Sequence, residues 1–106
     1  GINGLREYIR ENVDYTQQLK TWIEANPDFE IVAPAPLNLV CFKHKNGNEF
    51  NQKLHEEINR SGKLYITRTK INDEYILRFS IGQPTTTIEH VKNSWNLIVS
   101  TAKELS

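Results

Sequence analysis

The sequence predicts an α+β fold, a two-layer sandwich in which a mainly antiparallel four-stranded sheet carries helices on one face. Three observations lead there. Tyr75, Leu77, Phe79 and Ile81 fall at every second position, so in a strand they share one face while Ile76, Arg78 and Ser80 point the other way. Three other segments place apolar residues at spacings of three and four, the period of a helix with one buried stripe. Finally, the β-rich runs 64–70 and 74–81 flank Ile71, Asn72 and Asp73, whose composition and spacing suit a hairpin. At 106 residues the chain is long enough for one domain with a modest core and too short for two.

Taken in order, residues 3–25 read as one long helix on the recurrence of Leu5, Tyr8, Ile9, Val13, Leu19, Trp22 and Ile23, with a break in the stripe at 14–18. Asn26, Pro27 and Asp28 end it. At 1.5 Å per residue this is a rod of roughly 34 Å, longer than a small sheet covers. Part of it is therefore expected to meet structure outside this domain, and its start inside a helical pattern without a clear cap points the same way. Residues 29–32 form a short strand, stopped by Pro34 and Pro36, which cannot donate to a ladder. The next strand, 38–44, contains the continuous apolar run Leu39, Val40, Cys41 and Phe42, which predicts cover on both faces.

After turn residues at 45–48, Phe50, Leu54 and Ile58 repeat every fourth position, and Ser61 with Gly62 stops this second helix. The two hairpin strands follow. Gly82, Gln83 and Pro84 then break the chain, and Thr86 with Glu89 three residues later matches a capping box for the last helix. Its stripe is Ile88, Val91, Trp95, Ile98, Ala102 and Leu105. The predicted order is α-β-β-α-β-β-α, and the sheet face that holds Arg78 is left to meet something else. A guanidinium in mid-strand calls for an anionic partner, because an unpaired charge withdrawn from water is penalised by several kcal/mol.

Composition excludes several function classes. Thirteen basic and thirteen acidic residues leave a formal net charge of zero, so there is no electrostatic footprint for nucleic acid or an anionic membrane. No apolar run reaches the roughly 18 residues of a membrane span, and no signal-peptide layout opens the chain. The single Cys41 reads as a small buried hydrophobe, which fits a reducing, cytoplasmic setting. His44, His55 and His90 are too scattered for a metal-ligand pattern, and one cysteine permits no zinc spacing. Glu56 and Glu57 adjoin His55 but point apart on a helix, as solvated surface rather than a carboxylate pair. No glycine-rich phosphate loop follows a strand. The chain holds no self-sufficient catalytic set.

One series of blocks carries a family likeness: Phe29-Glu30-Ile31; Leu39-Val40-Cys41-Phe42-Lys43; Ile58-Asn59-Arg60-Ser61-Gly62-Lys63 with Tyr65, Thr67 and Thr69; Tyr75 through Gly82; and His90-Val91 with Trp95. In this order and at these distances they resemble the carboxy-terminal domain of the group II pyridoxal-phosphate-dependent amino acid decarboxylases, with the aromatic-L-amino-acid and tyrosine decarboxylases nearest. Gly4-Leu5 with Tyr8-Ile9-Arg10 is similar to the helix that leads from that family's large domain into its small one. The resemblance implies the small domain of a fold-type I enzyme, with residues 1–27 as the linking helix and 28–106 as the small α+β domain. It implies a homodimeric, cytoplasmic decarboxylase acting on amino acids, aromatic ones by nearest likeness, whose pyridoxal phosphate is held by a lysine preceded by histidine in a large domain that this chain lacks. His44-Lys45 repeats those two residue types at a strand end followed by turn residues, and the cofactor role is not transferred to it. By the same resemblance Arg78 faces the active-site cleft, since in the similar glutamate decarboxylases such an arginine meets a substrate carboxylate. Its planar fork suits that task. The chain alone is expected to be inactive. The competing reading is a free-standing ferredoxin-like module that binds a small ligand or a protein on the open sheet face.

Overall fold

The computed structural model describes residues 2–32, 39–64, 66–81 and 87–106, with side chains described from Val13 onward. The element order is α1 (Ile2–Ala25), β1 (Phe29–Ile31), β2 (Leu39–His44), α2 (Asn48–Arg60), β3 (Thr67–Ile71), β4 (Glu74–Ser80) and α3 (Ile88–Leu105). The four strands make one antiparallel sheet in the order β1-β2-β4-β3, so the α+β arrangement read from the sequence is the one observed. The Gly82–Pro84 break and Thr86 lie outside the described residues.

The inner face of the sheet is the core. Phe29, Val40, Phe42, Tyr75, Leu77, Phe79 and Ile81 pack with Leu19 and Ile23 of α1, Leu54 and Ile58 of α2, and Val91, Trp95, Ile98 and Ala102 of α3. Trp95 stands edge-on to Phe29 at 4.9 Å and to Phe42 at 6.1 Å between ring centres, the tilted arrangement that aromatic quadrupoles prefer. The helix α1 runs without interruption through 14–18, where the apolar stripe breaks, because Thr16 takes the missing position: it is fully buried, three residues before Leu19.

The first turn of α2 fills a gap in the sheet. Pairing of β2 with β4 ends at Phe42 and Leu77. Beyond it, the His44 N–H donates to Asn51 Oδ1 at 2.8 Å and the Asn51 amide donates to the His44 and Gly47 carbonyls. Across the gap the Tyr75 N–H donates to Asn48 Oδ1 at 2.9 Å. Two asparagines thus satisfy backbone groups that the diverging strands cannot offer each other.

Of the boundaries that differ from the sequence-based expectation, three have a visible cause. Strand β3 begins at Thr67 rather than Leu64, because Asn59 holds Ile66 from α2: the Ile66 N–H donates to Asn59 Oδ1 and its carbonyl accepts from Asn59 Nδ2. The cap of α3 is Thr87, whose extended backbone (φ −117°, ψ 164°) lets its hydroxyl accept from the His90 N–H at 3.2 Å, so the capping pair is Thr87 and His90 rather than Thr86 and Glu89. At the hairpin, Ile71 pairs with Glu74 and the loop is only Asn72 and Asp73, with φ of 52° and 64°. Both central residues are left-handed, as in the tight turn whose twist matches that of the strands, and Asn and Asp tolerate it.

Candidate functional site

Alternation along β4 puts Arg78 on the outer face of the sheet, with Cys41 of β2 and Thr67 of β3 as its cross-strand neighbours. Arg78 is half-buried, and among the described residues it lies in no ion pair. The partner that its position calls for is not supplied by them. This outer face is not bare at its centre, contrary to the expectation of an open sheet face. Ile76 is fully buried there, Leu39 and Cys41 are buried beside it, and Val32 and Ile71 pack against the three. The double cover expected for the run 39–42 is observed.

The other end of the same face is electrostatically closed. Lys43 Nζ lies 2.7 Å from Glu74 Oε2 and 3.8 Å from Glu30 Oε2, bridging three strands. The hydrogen bond that Lys43 donates to Glu74 raises the Lys43 pKa, outweighing the opposing effect of partial burial. These carboxylates are committed to Lys43, and Glu74 lies four residues along the strand from Arg78, about 13 Å at strand rise.

His44 and Lys45 do not make a cofactor site. Lys45 Nζ is 2.7 Å from Asp28 Oδ1, and that hydrogen bond holds the Asp28 carboxyl below its ordinary value. His44 is buried between Phe29 at 4.9 Å and Phe50 at 4.3 Å, and its Nδ1 accepts from the Asn46 N–H at 3.1 Å. Burial pushes its pKa down, which with that acceptor role marks a neutral ring carrying its proton on Nε2. A lysine committed to a carboxylate and a histidine wedged in a core do not fit pyridoxal phosphate. Among the described residues no three His, Cys, Asp or Glu side chains converge as metal ligands.

His55 behaves differently from the solvated helix surface expected around it. Glu56 is exposed and Glu57 pairs with Arg60 one turn on, at 2.7 Å. His55 turns inward instead, with Nδ1 2.8 Å from the Tyr75 hydroxyl and Nε2 3.0 Å from the Ile66 carbonyl. With its proton on Nε2 the ring donates to the carbonyl and accepts from the phenol at Nδ1, while Asn59 Nδ2, 3.0 Å from the same Nε2, donates to that carbonyl as well. The Arg68 guanidinium lies 5.5 Å from the Tyr75 ring centre, a cation–π contact, and burial raises the Tyr75 pKa. No motif marks this network in the sequence; the only signal is the spacing of His55 and Asn59, one turn apart on the same side of α2.

The fold has known relatives. No family model matches the chain. Mouse aromatic-L-amino-acid decarboxylase is 32% identical over 105 residues, covering 99% of this chain and 22% of the relative. Phenylacetaldehyde synthase of Arabidopsis thaliana is 34% identical over 112 residues, covering 99% and 23%. Among solved structures, the Oryza sativa TDC with PLP and tryptamine superposes with a TM-score of 0.93 at 30% identity, over 98% of this chain and 24% of that one. The chain therefore spans less than a quarter of the length of these relatives, and it matches a C-terminal portion of them. In sequence and in fold it is similar to the C-terminal portion of aromatic amino acid decarboxylases, one of them solved with PLP.

Proposed function

We propose that this chain is the C-terminal domain of a pyridoxal-phosphate-dependent carboxy-lyase that decarboxylates aromatic L-amino acids. The observation that carries the reading is the extent of the match: 99% of the chain aligns with a decarboxylase of that name rather than through one motif. The cofactor belongs to a larger domain of the same protein, where its chemistry is that of an electron sink for the carbanion left as carbon dioxide departs. Residues 1–27 link the two domains and 28–106 form the small one. The working assembly is a homodimer in the cytoplasm, a reducing compartment that suits a chain whose one cysteine, Cys41, is buried as a free thiol.

On this reading Arg78 lines the cleft from the outer sheet face. Tight pairing with the carboxylate that departs would stabilise the ground state and slow the reaction, so the arginine serves to orient and to shape the cleft wall. In the full-length protein, Arg78→Lys keeps the charge and loses the planar fork. The specificity constant is expected to fall about ten- to a hundredfold, equivalent to about 1.5–3 kcal/mol for a charge-assisted contact, with melting temperature unchanged. A lowered melting temperature with normal kinetics would make Arg78 a purely structural contact, and no change in either would return it to the surface. The isolated chain is expected to give no saturable pyridoxal phosphate absorbance and no carbon dioxide from aromatic amino acids. A specific band lost in Lys45→Ala would overturn the assignment of the cofactor to another domain. Assaying amine and aldehyde together also decides between the two kinds of product for which the relatives are named.

A further inference from the structure

Lys45, Asn46 and Gly47 make the turn between β2 and α2, and all three are exposed. An asparagine followed by glycine is open to a reaction of the chain with itself, in which the next backbone nitrogen attacks the side-chain carbonyl carbon and closes a cyclic imide. Glycine allows that approach because no Cβ stands beside the attacking nitrogen. The structure leaves both reacting groups free. Asn46 donates its own N–H to His44 Nδ1 at 3.1 Å, but neither its side-chain amide nor the peptide joining it to Gly47 is hydrogen-bonded among the described residues. Gly47 has φ of 94° and ψ of −177°, and a methyl group there would meet nothing within 4 Å, so no neighbouring side chain or backbone crowds the turn.

Other asparagines are placed differently. The side chains of Asn26, Asn48, Asn51 and Asn59 are each hydrogen-bonded to backbone, and Pro27 offers Asn26 no N–H to react. The second Asn-Gly pair of the chain, Asn3-Gly4, lies within α1. A helical ψ of about −42° holds the next amide away from the side chain that it would have to meet.

We propose that Asn46 is a site of spontaneous deamidation, a modification that adds one negative charge at the entry to α2. The Gly47 nitrogen gives its proton to water or hydroxide and bonds to Asn46 Cγ; the Cγ–Nδ2 bond breaks and ammonia leaves with a proton from solvent. Water then opens the imide at either carbonyl, giving aspartate or isoaspartate with no change of oxidation state. The new carboxylate is well accommodated. It stands one residue before the N-cap Gly47, where the α2 dipole favours an anion, and next to Lys45 in the chain.

The test ages the full-length protein at neutral and at mildly alkaline pH, native and in urea, and follows each asparagine by peptide mass spectrometry together with released ammonia. In the native protein Asn46 is expected to convert ahead of Asn3 and faster as pH rises, giving a more acidic species. That species is lost in Asn46→Gln, whose longer side chain closes its ring far more slowly. In urea α1 no longer shields Asn3, and the two pairs are expected to convert alike. An Asn46 that stays intact, or equal conversion of Asn46 and Asn3 in the native protein, would overturn the proposal. A lead for Asn46 that persists in urea would overturn its structural basis, because flanking sequence and not the fold would then select the site.

Discussion

The two faces of this sheet solve the burial problem in different ways. On the inner face, aromatic and branched side chains from every strand but β3 meet three helices, and polar groups that enter, such as Asn51 and His44, are bound to backbone or to each other's neighbours. On the outer face a small apolar cluster of Leu39, Cys41 and Ile76 is bounded by a paired cation, Lys43, at one end and Arg78 at the other. The same strands supply both faces, because alternation assigns consecutive residues to opposite environments. The inner face settles its electrostatics internally. The outer face does so at only one end: among the described residues Lys43 is paired and Arg78 is not.

Three experiments on the isolated chain sharpen or break that contrast. The largest effect is expected at Trp95, whose indole joins Phe29 and Phe42. Trp95→Ala should destabilise the fold by about 3–5 kcal/mol, a large part of the 5–10 kcal/mol typical of so small a domain. An unchanged melting temperature would show that the stripe of α3 is not core. Next comes Ile76→Ala on the outer face, where full burial implies a loss of about 2–4 kcal/mol. A loss below about 0.5 kcal/mol would mean that the outer cluster is a surface and not a second core, and the contrast would collapse into one buried face and one open one.

The smallest effect is a dependence on pH. His44 has a folded pKa depressed by burial, so on acidification the unfolded chain takes up its proton first. Stability is full above the ordinary histidine value of about 6.5, declines as pH drops below it, and reaches its floor once pH passes the lowered folded value. Asp28 and Lys45 act on His44 in opposite senses, and the phenyl rings of Phe29 and Phe50 enforce its neutrality. Denaturant midpoints measured between about pH 7 and pH 5 should show a shallower slope in His44→Phe than in the parent. Equal slopes would transfer the acid sensitivity to other groups.

Much of the architecture was legible because it rests on side-chain period. The alternation of Tyr75, Leu77, Phe79 and Ile81 and the stripe through Trp95 are properties of single segments, and folding leaves them unchanged. What escaped depends on pairs of segments. Asn48, Asn51 and Asn59 matter because each faces a backbone group freed where strands diverge or begin late, and no local pattern announces that. Thr16 shows the same limit: a hydroxyl breaks the apolar count, yet its place one turn before Leu19 buries it. At the last helix the capping pattern pointed to Thr86, whereas the cap is Thr87, with extended backbone and its hydroxyl on the His90 N–H. For the site, Arg78 stood out as a charge within an alternating strand, whereas its cross-strand neighbour Thr67 is fixed only by the register.

That register hangs on two residues. Asn72 and Asp73, both at positive φ, close the hairpin with the shortest loop available, and every partner of Arg78 on β3 is counted from them. A strand has a parity as well as a position. If one residue added to the loop slipped the pairing by one, the side chains of β3 would exchange faces, and Arg68 and Lys70 would stand where Thr67 and Thr69 now do. Arg78 would then face a second cation in place of a hydroxyl, a like-charge pair across the ladder that the present register avoids. The length of this loop thus acts as the spelling rule for which side chains of β3 the outer face presents.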